Sequence, residues 1–258
     1  MKNFPKVARD MFWAQMIWTF GFLGVMFIIN IVKIVINLVR GTEADGYYAS
    51  VLIASNIFMI IIGLLAIYFL PYYVENGVTR KDYFKGALLA SVGLSLAIPI
   101  ITAIISIVEQ FIVTTLLNIN FRGIDIINEV VSDVDGNIIG DLVLSVILTP
   151  YVDPGSNWIL AIGVFSLQLF IFYLIGWFIS ASFYRFGTVT GLLFILVAIM
   201  INLLKDYFLR ISLGLPLSDR FSTLDSLPQG VTVLGLLLLI VFTVWIIRLL
   251  TRKVAIKM

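Results

Sequence analysis

The chain has no cysteine and no histidine. The first absence removes disulfides, thiol nucleophiles and thiolate metal sites. The second removes the commonest zinc ligand and the commonest general base. Charge is also scarce: 12% of the 258 residues are Asp, Glu, Lys or Arg, where a soluble domain carries about a quarter. No Gly is followed directly by Lys, so the sequence G-x-x-x-x-G-K-[ST] that cradles nucleotide phosphates is missing. An enzyme site would have to be built from carboxylates or Ser and Lys, and no such cluster lies at a membrane face.

What remains is apolar. Hydrophobic residues make up 61% of the chain and the mean hydropathy is +1.09. The apolar positions gather into six runs, 16–39, 49–72, 87–108, 158–182, 189–204 and 231–249. A run of about 20 apolar residues crosses a hydrocarbon core as a helix. Helices are expected because lipid offers backbone groups no partner, and the short alternating strands of a β-barrel are absent. The fold class is therefore an all-α integral membrane protein, a single transmembrane domain over 1–258 with six spans. The fifth run, about 16 residues, is short for a span.

Lys and Arg separate across the runs. Lys2, Lys6, Arg9, Arg80, Lys81, Lys85, Arg185, Arg248, Arg252, Lys253 and Lys257 fall on one side; only Arg40, Arg122, Lys205, Arg210 and Arg220 fall on the other, with most of the acids. The positive-inside rule places both termini in the cytosol. Residues 1–12, with Phe4, Val7 and Met11 on one helical face, read as an interfacial helix on the inner leaflet, and the charged start continues into a span too long for a signal-peptide core.

The segment 75–86 joins the second and third runs on the cytosolic side. Asn76-Gly77 is a turn dipeptide, and Thr79 with Asp82 three residues on resembles a helix start. A short amphipathic helix from Thr79 would present Arg80 and Lys81 beside Tyr83 and Phe84, a combination suited to a partner's cleft. Positive-inside anchoring with interfacial aromatics accounts for the same residues.

Asn76-Gly77-Val78-Thr79-Arg80-Lys81-Asp82-Tyr83-Phe84-Lys85-Gly86 resembles the segment between the second and third spans of bacterial ABC-type exporter permeases of the type-2 superfamily, where a Gly, a Ser or Thr, basic residues, an aromatic and a second Gly recur. Phe183-Tyr184-Arg185-Phe186-Gly187 is similar to the second cytosolic loop of small Gram-positive members. The resemblance implies that Thr79, Arg80, Lys81, Asp82, Tyr83 and Phe84 form a coupling helix docking on an ATP-binding cassette subunit, with Tyr184, Arg185 and Phe186 as a second contact. It further implies a bacterial plasma membrane, a second permease copy or a paralogue as partner, and ATP and Mg on the partner subunit. No cofactor, metal or nucleic acid is expected on this chain. The cargo would be hydrophobic or amphipathic: a peptide, an antibiotic or a lipid. The outer loop 117–157 is longer than in such relatives; 205–230 is the second outer loop.

Other readings stay open: an ion-coupled secondary transporter, or a non-transporting immunity or sensor-associated protein. Asn30, Lys33 and Asn37 share one face of the first span and, with Gln168, make a candidate intramembrane polar path; Lys33 is equally placed to snorkel to the outer headgroups. Within the long loop, 125–134 reads as an amphipathic helix, and 138–148 as an apolar stretch too short to span that dips into the outer leaflet or caps the bundle. Asp133, Asp135 and Asn137 match the opening spacing of a calcium loop, but Ile138 and Leu144 stand where it needs Gly and a bidentate acid.

Overall fold

The computed structural model describes residues 3–41, 46–116, 145–147, 149–215 and 227–252. Seven helices are resolved among them: α1 (Phe4–Arg40), α2 (Tyr47–Ala66), α3 (Phe69–Glu75), α4 (Arg80–Leu116), α5 (Trp158–Phe186), α6 (Thr188–Leu213) and α7 (Gln229–Arg252). The α2–α3 pair forms one span, so six helices are long and apolar enough to cross a membrane. The described part of the chain is a multi-pass membrane fold.

Their ends follow local chemistry. Pro5 sits in the first turn of α1, where a missing N–H costs nothing, and Gly41 ends that helix at φ 67°. The Asn157 side chain accepts from the Leu160 N–H to cap α5. Gly187, at φ 80°, reverses the chain between α5 and α6 within a single residue, a conformation other residues rarely adopt.

Two parallel pairs organise the bundle. α1 and α4 run side by side in matched register. Gly86 lies against Val7, Gly93 against Phe12, and Asn30 meets Glu109 farther along. α2 and α5 cross at a reciprocal glycine contact: a Cβ on Gly63 would collide with the Tyr173 carbonyl oxygen, and one on Gly176 with that of Ile60. Small residues let membrane helices approach at backbone distance. α5 is the central helix; 67% of its most apolar window is buried, against 11% for α1. Around Trp177 on α5 gather Tyr83 and Phe84 from α4 and Tyr173, with ring centroids 5.5–6.3 Å away.

Several sequence expectations are corrected. The interfacial helix 1–12 is not separate: from Phe4 it belongs to α1, about 55 Å of unbroken helix at 1.5 Å per residue. Val7 and Met11 of its apolar face pack inside the chain. The coupling helix 75–86 is likewise not a free-standing element. Glu75 ends α3, and Arg80 opens α4, which continues through Pro99 to Leu116. The fifth span is not short: α6 has 26 residues and takes in 205–213, which the sequence assigns to the outer loop 205–230. A run of apolar residues, Tyr207, Phe208, Leu209 and Ile211, carries the helix past its charges. The expected helix at 125–134, the calcium-like residues and most of 138–148 lie outside the described residues.

Candidate functional site

At the face shared by the two termini, the expected cap forms. The Thr79 hydroxyl accepts from the Asp82 N–H and donates to its carboxylate, both at 3.1 Å. Starting the helix here turns Tyr83 and Phe84 inward. The Tyr83 hydroxyl donates at 2.5 Å to the carbonyl of Ala66, the last residue of α2. The break between α2 and α3 leaves that carbonyl without an intrahelical partner, and Tyr83 supplies one. These aromatics therefore hold the chain's own spans together and are not the surface offered to a partner, a correction to the reading of all six residues as one docking face. Thr79 and Lys81 are exposed; Arg80 and Asp82 are half-buried.

The structure brings the two sequence-selected loops to one place, the last turn of α7. Arg80 donates to the Arg252 carbonyl at 3.3 Å, and Arg248 donates back to the Arg80 carbonyl at 3.2 Å. Arg185 donates to the Leu249 carbonyl at 2.5 Å. Helix C-termini present unpaired carbonyls and partial negative charge, and cations satisfy both. Arg248 also lies over the Phe84 ring, 5.2 Å from its centroid. Phe186 stacks on Phe194 at 5.6 Å, with the Arg185 guanidinium over its ring, and Tyr184 is half-buried against the core. Lys81 and Arg185 stay exposed on the loops of this junction, while Lys85, also exposed, lies over the Phe4 ring at the start of α1, 5.7 Å from its centroid.

The candidate polar path divides into two separate clusters toward the opposite face. In the first, Asn30 donates to the Glu109 carboxylate, which also accepts from the Tyr47 N–H at 2.8 Å. That N–H opens α2 and has no partner inside its own helix. Lys33 donates to Ser50 at 3.3 Å, and Asn37 is half-buried nearby on α1. The cluster joins α1, α2 and α4 and explains the shared face of Asn30, Lys33 and Asn37 as interhelical bonding.

Gln168 belongs elsewhere. It donates to the Pro150 carbonyl and accepts from the Thr149 hydroxyl at 3.0 Å. Asn56 on α2 donates to the Val146 carbonyl at 2.9 Å and to Thr149 at 3.2 Å. Asn202 on α6 donates to the Ser145 hydroxyl at 2.7 Å, and Lys205 to the Ser145 carbonyl at 3.3 Å. Lys205 is fully buried, with its ammonium 4.1 Å from the centroid of Phe172. Four polar side chains from three spans thus converge on 145–147 and 149–150, the first three helical and the last two irregular. Asn56 lies nine residues into α2 and Gln168 ten into α5, about 15 Å from the helix ends. Irregular backbone such as Thr149-Pro150 at that depth persists where protein satisfies it, as Gln168 does for the Pro150 carbonyl. The anchors of these residues are polar positions that the sequence offers singly.

Sequence reasoning missed Lys205 as a buried group because it placed the residue beyond the span. It missed Gln15, whose amide donates to the Tyr173 hydroxyl at 2.9 Å, and Asp10, whose carboxylate accepts from Tyr73 at 2.7 Å. For Gln15 the signal was a lone amide between apolar neighbours. Among the described residues no group of three acids could hold a metal. No family model, curated protein or solved structure matches this chain.

Proposed function

We propose that this chain is the membrane-embedded permease subunit of an ATP-driven exporter, with its partner ATPase docking at the face of the two termini. The observation that carries the reading is the convergence of 79–84 and 184–186 on the last turn of α7, with Lys81 and Arg185 exposed there. Exposed cations around a preorganised helix end suit the acidic rim of a soluble partner. The revised docking set is Thr79, Lys81 and Arg185; Tyr83 and Phe84 act behind it. Force on the start of α4 passes to α7 through Arg80 and Arg248, and to α2 through the Tyr83–Ala66 bond. The partner supplies ATP and Mg. A second permease copy completes the pathway, and the cargo is hydrophobic or amphipathic. The membrane is a bacterial plasma membrane with both termini in the cytosol.

The test is co-purification from the native host. The expected partner carries a nucleotide-binding motif and hydrolyses ATP. It is lost when Lys81 becomes Glu, with the permease still inserted and Arg80 untouched. Recovery of no ATPase from either form sinks the proposal.

Glu109 and Lys205 favour a second reading, ion-coupled transport, because both are buried ionisable groups within spans. Transport in proteoliposomes driven by a proton or sodium gradient without ATP, and abolished by Glu109→Gln, selects that reading over the first.

A further inference from the structure

On the face of the termini, the first turns of α1 and the end of α3 enclose an open cleft of 430 Å³. Its working residues are Lys6, Arg9, Asp10, Trp13, Tyr72 and Asn76. The cleft is separate from the junction at α7. Its chemistry is layered. Lys6 and Arg9 are both exposed and lie on neighbouring turns of α1. Asp10 is the one acid of the lining, and it is engaged by the Tyr73 hydroxyl. Trp13 and Tyr72 stand 57% and 59% exposed at the cleft's lower edge. Such rings settle at the level of lipid headgroups. Beyond them the surface becomes purely apolar through Ile17 and Phe20, both largely exposed on α1.

The Asn76 amide donates one N–H to the Tyr72 carbonyl at 2.8 Å and has a second to offer. Two cations, that second N–H and a ring pair above an apolar wall match one ligand class: a phosphate-bearing headgroup with acyl chains beneath it. We propose that this cleft binds an anionic phospholipid of the leaflet on the side of the termini, with Lys6 and Arg9 on the phosphate, Asn76 on the headgroup and Trp13 and Tyr72 flanking the glycerol. A soluble phosphate ester shares the headgroup chemistry but leaves the wall at Ile17 and Phe20 unused. The site does not depend on the exporter reading.

Basic residues at an anionic surface each contribute a factor of about five in affinity. With one acid opposing two cations, phosphatidylglycerol should be retained about fivefold over phosphatidylcholine. The experiment is native mass spectrometry of the full chain in a neutral detergent, titrated with each lipid. The preference should vanish in the K6Q/R9Q double variant and survive in K81Q/K85Q, whose cations lie on the same face outside the cleft. Asp10→Asn removes the opposing charge and should raise retention, which guards against a K6Q/R9Q chain that fails for other reasons. Equal retention of the two lipids overturns the proposal. So does a preference that survives K6Q/R9Q, or a fall in retention with Asp10→Asn. Displacement of phosphatidylglycerol by an equal concentration of glycerol phosphate would make the ligand a soluble phosphate and overturn the lipid assignment.

Discussion

The two ends of this bundle use polar residues in opposite ways. Toward the loop 117–157, Asn30, Asn56, Gln168, Asn202 and Lys205 are buried, and their bonds run to other parts of the same chain. At the termini, Arg80, Arg185 and Arg248 hold carbonyls at helix ends and Lys85 lies over Phe4, while Lys81 is exposed. Inside lipid an unsatisfied polar group costs several kcal/mol, so polar residues there serve first as structure. At the aqueous face a cation needs no partner, so an exposed one is free to serve another molecule. The far end accordingly explains how the chain holds 145–147 and 149–150 inside the bundle, and the near end carries the cations that the proposed docking uses.

That contrast can be broken at several points. The largest effect belongs to the aromatic cluster packed behind the near end. Trp177→Ala empties the contact with Tyr83, Phe84 and Tyr173 and should cost about 3–5 kcal/mol, read as a fall of roughly 6–20 °C in the unfolding midpoint of the purified chain. Gly176→Ala drives a methyl into the Ile60 carbonyl and should destabilise by about 1–3 kcal/mol, seen as earlier aggregation on heating in detergent.

The next prediction isolates the far end. The chain lacks cysteine, so Ser145→Cys introduces a single thiol. It should resist a water-soluble maleimide in the parent chain and react once Asn56 and Gln168 are both changed to Leu, because the segment then loses its anchors at 146, 149 and 150 and keeps only those from Asn202 and Lys205. Equal labelling in both backgrounds would mean that other contacts hold it. The smallest effect lies at the near end. Arg248→Gln removes a partly exposed bond and should change stability by about 1 kcal/mol or less, while proteolysis at the end of α7 quickens.

The sequence carried the number and type of spans because hydropathy over 20 residues is a strong signal. The Thr79–Asp82 helix start was legible for a similar reason, being set by neighbours three residues apart. Partnership across the bundle was not. Nothing local announces that Tyr83 reaches the carbonyl of Ala66, or that Gly63 and Gly176 face each other, because parallel neighbours come from spans far apart in the chain. Tyr83 and Phe84 beside Arg80 and Lys81 suggest a docking patch when all four are imagined on one exposed surface. The helix turns the two aromatics inward, to Trp177, and leaves Lys81 outside. Lys205 was misplaced because a charge ended the apolar run, although Phe172 offers that charge a ring face inside the bundle.

The most direct test of the docking face is site-specific photo-crosslinking in the native membrane, with a photoreactive amino acid at position 81 in one chain and at lipid-facing position 192 in another. The account predicts that position 81 captures an ATP-hydrolysing subunit and position 192 captures none. Capture from position 192 alone, or no ATPase from either position, would contradict it.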